Sequence, residues 1–309
     1  MQYRTGPFSV TWSDAGGTFS TGASAVRRVF RTDVLTDEGL YTELEQVTDV
    51  AACAATLNSW VADGGQVHVN VGGAPGAADV ALIRSFHGAR FVAHADDFYI
   101  EGFDIEGGIT GALHCDAAAD RAIVGVNCSF RYSAPSNPSA VQDAVRVRRT
   151  NGVAAFFGCD ASMGAKDGWN FHEDGASQLQ VLLQDCTSYR NGVPGASSVN
   201  GFTLHDGVRA VVLNGDFGWS RNGAEVHIIQ DARLWQAGGR VVGRNPFGDA
   251  VAIQCSNDCQ MWLQDMRADA DGSAVNDAVR ANGGAVFARG LTVVAGSINP
   301  YSEGSVTTF

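Results

Sequence analysis

Six copies of one short pattern lie along the second half of this chain, and a pattern recurring about every 25 residues leaves few architectures open. Three copies align without a gap as Asp/Asn, Gly, apolar, polar, apolar, His. They are Asp167-Gly168-Trp169-Asn170-Phe171-His172, Asn200-Gly201-Phe202-Thr203-Leu204-His205 and Asn222-Gly223-Ala224-Glu225-Val226-His227. Weaker copies begin at Asp143, Asp249 and Asp277. First residues at 143, 167, 200, 222, 249 and 277 give spacings of 24, 33, 22, 27 and 28.

A second strand-like segment follows each hexad: Val153–Phe157, Leu179–Leu183, Ala210–Leu213, Leu234–Ala237, Gln260–Leu263 and Ala285–Ala288. A third short segment leads to the next hexad. Three short strands per cycle, with no room for a crossover helix, predict a parallel β-helix. A leucine-rich repeat would show a recurring Leu/Asn frame, and a propeller blade needs about 40–50 residues. The Asp/Asn-Gly/Ala dipeptide opening each hexad is expected at a corner, since Asn, Asp and Gly tolerate left-handed backbone. Cys128, Cys159 and Cys186 recur at one place in the cycle, where Gly215 follows, and are expected as a stacked buried ladder. The spacing of Cys255 and Cys259 leaves a short disulfide open.

The remainder of the chain is less periodic. Residues 1–48 read as extended and loop segments with no assignable role. Val50, Cys53, Ala54, Leu57, Trp60 and Val61 fall at helical spacing, with Thr48 or Asp49 as cap and Gly64-Gly65 as stop. Val67, Val69 and Val71 then alternate as a strand. The expected division is an N-terminal extension with a capping helix over 1–65 and the β-helix over 66–309. The helix is expected to cover the open end of the solenoid core.

Composition excludes several function classes. A net charge of −12 argues against a nucleic-acid partner, which needs a basic footprint. No run of about 18 apolar residues is present, so no membrane-spanning helix is expected. Met1 to Phe8 lacks the basic and apolar regions of a signal peptide. Seven cysteines in 309 residues do not form a disulfide scaffold.

The chemistry is expected on one face. Alternate side chains of a strand point to opposite sides, so the two apolar positions of each hexad enter the core and positions four and six face out. One outward column reads Arg146, Asn170, Thr203, Glu225, Ala252, Arg280; the other reads Arg148, His172, His205, His227, Gln254, Asn282. Lys166 and Arg221 stand just before two of these strands. The long segments Arg131–Gln142 and Asn191–Val199 both precede a hexad and would wall a groove along the histidines. A straight groove several coils long suits an extended polymer. Tyr189 and Trp219, near these loops, are candidates to stack on sugars, whereas Trp169 and Phe202 are expected in the core. Coils about 4.8 Å apart hold three histidines in a line and not around one point, which disfavours zinc.

The coil period, the hexads and the loop corner resemble the right-handed parallel β-helix proteins of the pectate-lyase-like superfamily, over roughly residues 66–295. Leu204-His205-Asp206 is similar to the histidine-aspartate element of mannuronan epimerases, without the proline that precedes it in one group. The Asn-Thr-Asp and Gly-His-Gly elements of polygalacturonases are absent. The resemblance implies a polysaccharide lyase or C5-epimerase acting on an acidic, uronate-containing polysaccharide outside the cytoplasm, extracellular or periplasmic. Such a reaction removes the proton at C5, α to a carboxylate whose charge must be neutralised. Arg146, Arg148 or Arg221 would neutralise it, His205 is the first candidate base, and His172, Lys166 or Tyr189 would donate or assist. Asn170, Thr203, Glu225, His227 and Trp219 would line the substrate. No cofactor is required, with calcium left open through Asp206 or Glu173. The other readings are a noncatalytic binding module of the tailspike or adhesin kind, monomeric or trimeric, and a glycoside hydrolase. Hydrolysis needs two facing carboxylates, and Glu225 is the only one among the outward hexad positions.

Overall fold

Each hexad and its two following segments form one coil of a parallel β-solenoid. The computed structural model describes residues 1–92, 96–116, 120–136, 142–172, 179–245, 250–272 and 275–309. Nine parallel strands form the first sheet, from Ala89–Val92 through Val145–Arg148, Trp169–His172 and Phe202–Leu204 to Ser297–Tyr301. Nine more form the second, from Phe98–Glu101 through Gln180–Gln184 and Arg233–Ala237 to Ser305–Thr308. The third side holds shorter strands, among them Ser129–Arg131, Thr187–Tyr189, Asp216–Gly218 and Arg240–Asn245. Gln2–Arg4, from the start of the chain, adds a strand to this side by pairing with Asp104–Glu106.

The alternation works as the sequence predicts. Val145, Trp169, Phe202 and Val226 stack in register, as do Val147, Phe171, Leu204 and Ile228, all fully buried. Aromatic rings continue through the interior: Phe156 meets Trp169 at 4.9 Å, Phe171 meets Phe202 at 5.9 Å and Phe202 meets Phe217 at 5.8 Å. Cys128, Cys159 and Cys186 are buried free thiols on the core side, and the Cys128 backbone N–H donates to Cys159 Sγ at 3.4 Å. Cys255 and Cys259 are also free.

The left-handed corner lies elsewhere than the hexads suggest. It follows the second sheet, where Asn127, Gly158, Asp185, Asn214, Gly238 and Asp265 all take φ between 49° and 68°. Gly168, in the strongest hexad, has no positive φ and is required for closeness instead, because a Cβ there would sit 1.9 Å from Ser188 Oγ.

The hexads also align differently in space. Asp143 and Asp167 hexads match residue for residue, and so do those of Asp167 and Asn200. At the next coil Phe202 pairs with Val226 and Thr203 with His227, a slip of two residues. A second slip of two sets Ile253 beside Val279 and Gln254 beside Arg280. A two-residue slip keeps every apolar side chain inside, so the pattern is blind to it.

The N-terminal segment is an ordered, mainly antiparallel unit, with one parallel pair between Glu45–Gln46 and Ser59–Asp63. The helix is only Val50–Ala55, capped by Asp49 Oδ1, which accepts from the Ala52 N–H at 2.8 Å. The residues expected to continue it, with Trp60 and Val61, form the strand Ser59–Asp63, which turns at Gly64-Gly65 (φ 54° and 82°) into Gln66–Asn70. Two successive left-handed glycines are the geometry of a tight hairpin. The helix packs on this hairpin, and Gln66–Asn70 belongs to the N-terminal sheet, so the solenoid strands begin at Ala89. Val29, Leu44, Trp60, Val67, Val69 and Leu82 make a separate core. The unit is fixed to the third side of the solenoid: Tyr132 stacks on Tyr41 at 4.9 Å, Glu38 accepts from Arg190 Nε at 2.5 Å, and Arg28 donates to the carbonyls of Ser133 (2.7 Å) and Met163 (2.6 Å). Among the described residues no helix is long and apolar enough to cross a membrane.

Candidate functional site

The outer side of the first sheet gathers Arg146, Arg148, Lys166, His172 and His205. Arg148 and His172 are register partners on adjacent strands. The His205 ring stacks on that of His172 at 4.0 Å and 8°, fixed by its own backbone N–H, which donates to Phe171 O at 3.1 Å. Asp206 turns in left-handed backbone (φ 56°) and brings Oδ2 to 3.7 Å from His172 Nδ1. Its sequence neighbour is His205, but the imidazole it faces is the one a coil below. Arg146 donates to Gln142 Oε1 at 3.1 Å. Glu173 and Asp174, residues 137–141 of the segment Arg131–Gln142, and Asp249 lie outside the described residues.

The electrostatics hold these histidines neutral. Burial is the main cause of the low His172 pKa, with His205, Arg146, Arg148 and Lys166 adding to it. His205 is lowered by burial, helped by Lys166 and Arg146 and opposed by a hydrogen bond with Gln230. A protonated imidazole here would lie among three like charges with little water to screen it.

The remaining candidates are placed differently. His227 falls one column over because of the register slip, with Nε2 3.2 Å from Ser256 Oγ. Burial, His205 and Arg280 lower its pKa to about 4. Asn170 and Thr203 are in the outward column but only 1% exposed, both donating to Asp167 Oδ2 at 2.9 and 3.2 Å. Burial and the nearby Asp143 push Asp167 up to about 7. Glu225 does not face out either. It is 1% exposed under the corner, accepts from the Ser220 N–H and Oγ–H at 2.5 and 2.7 Å, and is raised to about 8 by burial. Tyr189 and Trp219 are on the third side, away from the histidines. The Tyr189 hydroxyl accepts from Arg240 at 3.2 Å, and Trp219 lies between Arg190 and Arg244 at 5.4 and 4.6 Å from its ring. Arg221 is exposed at the corner, its N–H donating to Asn191 O at 2.9 Å. The long segment Asn191–Val199 lies at this same corner, tied to the coil below by Gly192 to Gly164 and Val193 to Ala165.

One coil was not singled out by the hexads. Leu113–Asp116 places His114 beside Arg146 and Asp116 beside Arg148. His114 is 8% exposed with neither ring nitrogen hydrogen-bonded, and burial and Arg146 lower its pKa to about 4. Asp116 accepts from Arg149 at 2.5 Å. The signal was available as the alternation Leu-His-Cys-Asp, but Gly111 stands where the other copies have Asp or Asn. Among the described residues no three His, Cys, Asp or Glu side chains converge as a metal-binding group.

The chain is a parallel β-helix. No family model matches it, and no curated protein does. A solved structure it is similar to is the tailspike protein gp49 from Pseudomonas phage LKA1, at 12% identity and a TM-score of 0.24. That likeness covers 96% of this chain and 62% of the tailspike chain, so this chain spans less than two thirds of its length.

Proposed function

We propose that the outer face of the first sheet binds an acidic polysaccharide and eliminates across the C4–O bond of a uronate, as a polysaccharide lyase does. The observation that carries this is the stacked His172–His205 pair among Arg146, Arg148 and Lys166. Arginine pairs with a carboxylate through two parallel N–H donors, and Arg146 and Arg148 project one strand position apart on each side of Val147. Neutralising the uronate carboxylate stabilises the carbanion charge that develops when the C5 proton leaves. His172 is taken as the base because Asp206 Oδ2 faces its Nδ1 at 3.7 Å, so that a closer approach in the complex would hold the proton on Nδ1 and leave Nε2 to accept one. The C5 proton passes to His172 Nε2, the electron pair forms the C4–C5 double bond, and the Lys166 ammonium protonates the departing O4. The substrate tunes this base: its carboxylates offset the cations that depress the imidazole, raising its basicity only once the polymer is bound.

Incubation with a panel of uronate polymers, followed by the ultraviolet absorbance of the new conjugated double bond, tests the proposal. Product formed by the native chain and abolished in His172→Ala supports it. Full activity in His172→Ala removes His172 as base. C5 inversion without cleavage would identify the epimerase variant of the same first step. One observation favours a second reading, a noncatalytic binding face: in the free protein the histidines are weak bases. Polymer binding with no product from any ligand would establish that reading.

A further inference from the structure

The outer side of the second sheet has the opposite chemistry. Its central outward column runs from Tyr99 to Phe287 through Leu182, Val211, Trp235 and Trp262, each above the last in register. No charged residue interrupts it. The interior is already filled by the alternate residues, such as Val181, Leu183, Leu234 and Met261, all buried. The outward apolar side chains are therefore surplus to the core, and Tyr99, Trp235 and Trp262 are 61%, 44% and 37% exposed. Val126, Phe157, Leu213 and Ala237 widen the stripe on one side, in a column that Gln184 and Gln264 interrupt. A contiguous apolar patch of this extent is uncommon on a surface left in water.

The ring geometry says what covers it. Trp262 and Phe287 stack at 5.7 Å and 17°, so each ring uses a face on its neighbour and offers its edge outward. A sugar stacks on an exposed aromatic face, and a small ligand needs a concavity; a flat stripe of ring edges and methyl groups suits a second protein surface. The stripe is about 34 Å long (seven steps of ~4.8 Å) and, with its flanking columns, about 16 Å wide (five residues at ~3.3 Å). That is about 540 Å² per partner, below the ~800 Å² of a standard interface and in the range of a reversible association. A partner must be equally straight and equally long, which a second copy of this sheet is.

The two long edges of the stripe differ in charge. Arg209 and Arg233 are exposed on the side where the strands begin, and Glu101, Asp185 and Asp265 on the side where they end. Arg289 reverses the acidic edge at one coil, exposed Asp97 reverses the basic edge at the first, and Asp231 and Asp258 lie further round the basic corner. A two-fold axis parallel to the solenoid sets each basic edge against the partner's acidic edge, offset by one coil, which an arginine side chain spans. A two-fold axis along the strands would set like edges together. We infer that two copies of this chain associate through the outer faces of their second sheets, side by side and parallel, in an isologous contact.

Sedimentation equilibrium of the 309-residue chain tests this. The expected result is a reversible dimer that the double variant Trp235→Glu/Trp262→Glu converts to monomer, with far-ultraviolet circular dichroism unchanged because neither side chain is in the core. Arg233→Glu is a second, milder variant, expected to weaken the dimer by roughly tenfold. Adding Asp265→Arg should restore it, which a merely structural role for Arg233 would not produce. A chain that stays monomeric up to its solubility limit overturns the inference. So does a trimer, or a dimer indifferent to all three variants, since either places the contact elsewhere.

Discussion

The first and second sheets are made by the same coils, share one core and run the same length, yet they face water with opposite chemistry. On the first, Arg146, Arg148, Lys166 and the stacked pair His172–His205 concentrate positive charge on a protein of net charge −12. On the second, the outward column between Tyr99 and Phe287 is apolar throughout. The inward positions of both are interchangeable aliphatic and aromatic residues. A solenoid coil thus fixes what faces in and leaves each outer side free, so the residues that distinguish one sheet from the other are not dictated by the fold.

The largest effect expected from this contrast is on catalysis. His172→Ala should lower elimination by about 10²–10⁴-fold, measured as initial rates on a uronate polymer, while the dimer persists; Trp235→Glu/Trp262→Glu should do the reverse. Loss of both properties in either variant would break the division. Next comes the inward–outward difference. Phe171→Ala should cost about 3–5 kcal/mol in denaturant unfolding, whereas Leu182→Ala, on the outer side of the second sheet, should cost well under half of that. Similar losses would mean that the second face supports the fold. A smaller effect is expected for Arg146→Ala and Arg148→Ala, each weakening polymer binding roughly tenfold and reducing its dependence on salt, as read by titration calorimetry at two ionic strengths.

The smallest is a pH effect. Glu225 has a folded pKa of about 8, above its ordinary 4.5. Its contribution to stability is therefore complete below the ordinary value and lost as pH rises toward 8. Asp167, at about 7, behaves likewise. The histidines have lowered values, so their contribution is lost as pH falls and is constant above 6.5. Between pH 6.5 and 8.5 the melting temperature should decline, and Glu225→Gln, which keeps both contacts with Ser220, should flatten that decline. An unchanged slope would mean that Glu225 is ionised in the folded chain.

Much of this was legible in the sequence. The alternation Trp169-Asn170-Phe171-His172 specifies a strand with one buried side, and its recurrence specifies a stack. The exact neighbours across coils were not legible, because a slip of two residues at Phe202–Val226 preserves inside and outside. That slip moved His227 away from His205 and carried Glu225 under a corner. Tyr189 and Trp219 were misplaced because a loop's position in sequence does not say which side of a triangular coil it ends on. The N-terminal helix was overextended because Trp60 and Val61 satisfy both periods, and the Gly64-Gly65 turn decided for the hairpin. The second-sheet stripe was hidden in plain alternation, since Leu182 and Trp235 look like core residues until the register shows which way they point.

Arg28 ties the beginning of the chain to carbonyls 105 and 135 residues further on. During vectorial synthesis the first acceptor does not exist until residue 133 has been made, nor the second until residue 163. The coils add one upon another through neighbours, but this clasp closes across a long separation and must follow them. The opening unit is thus docked late onto the solenoid, and the Arg28 guanidinium joins two coils at once.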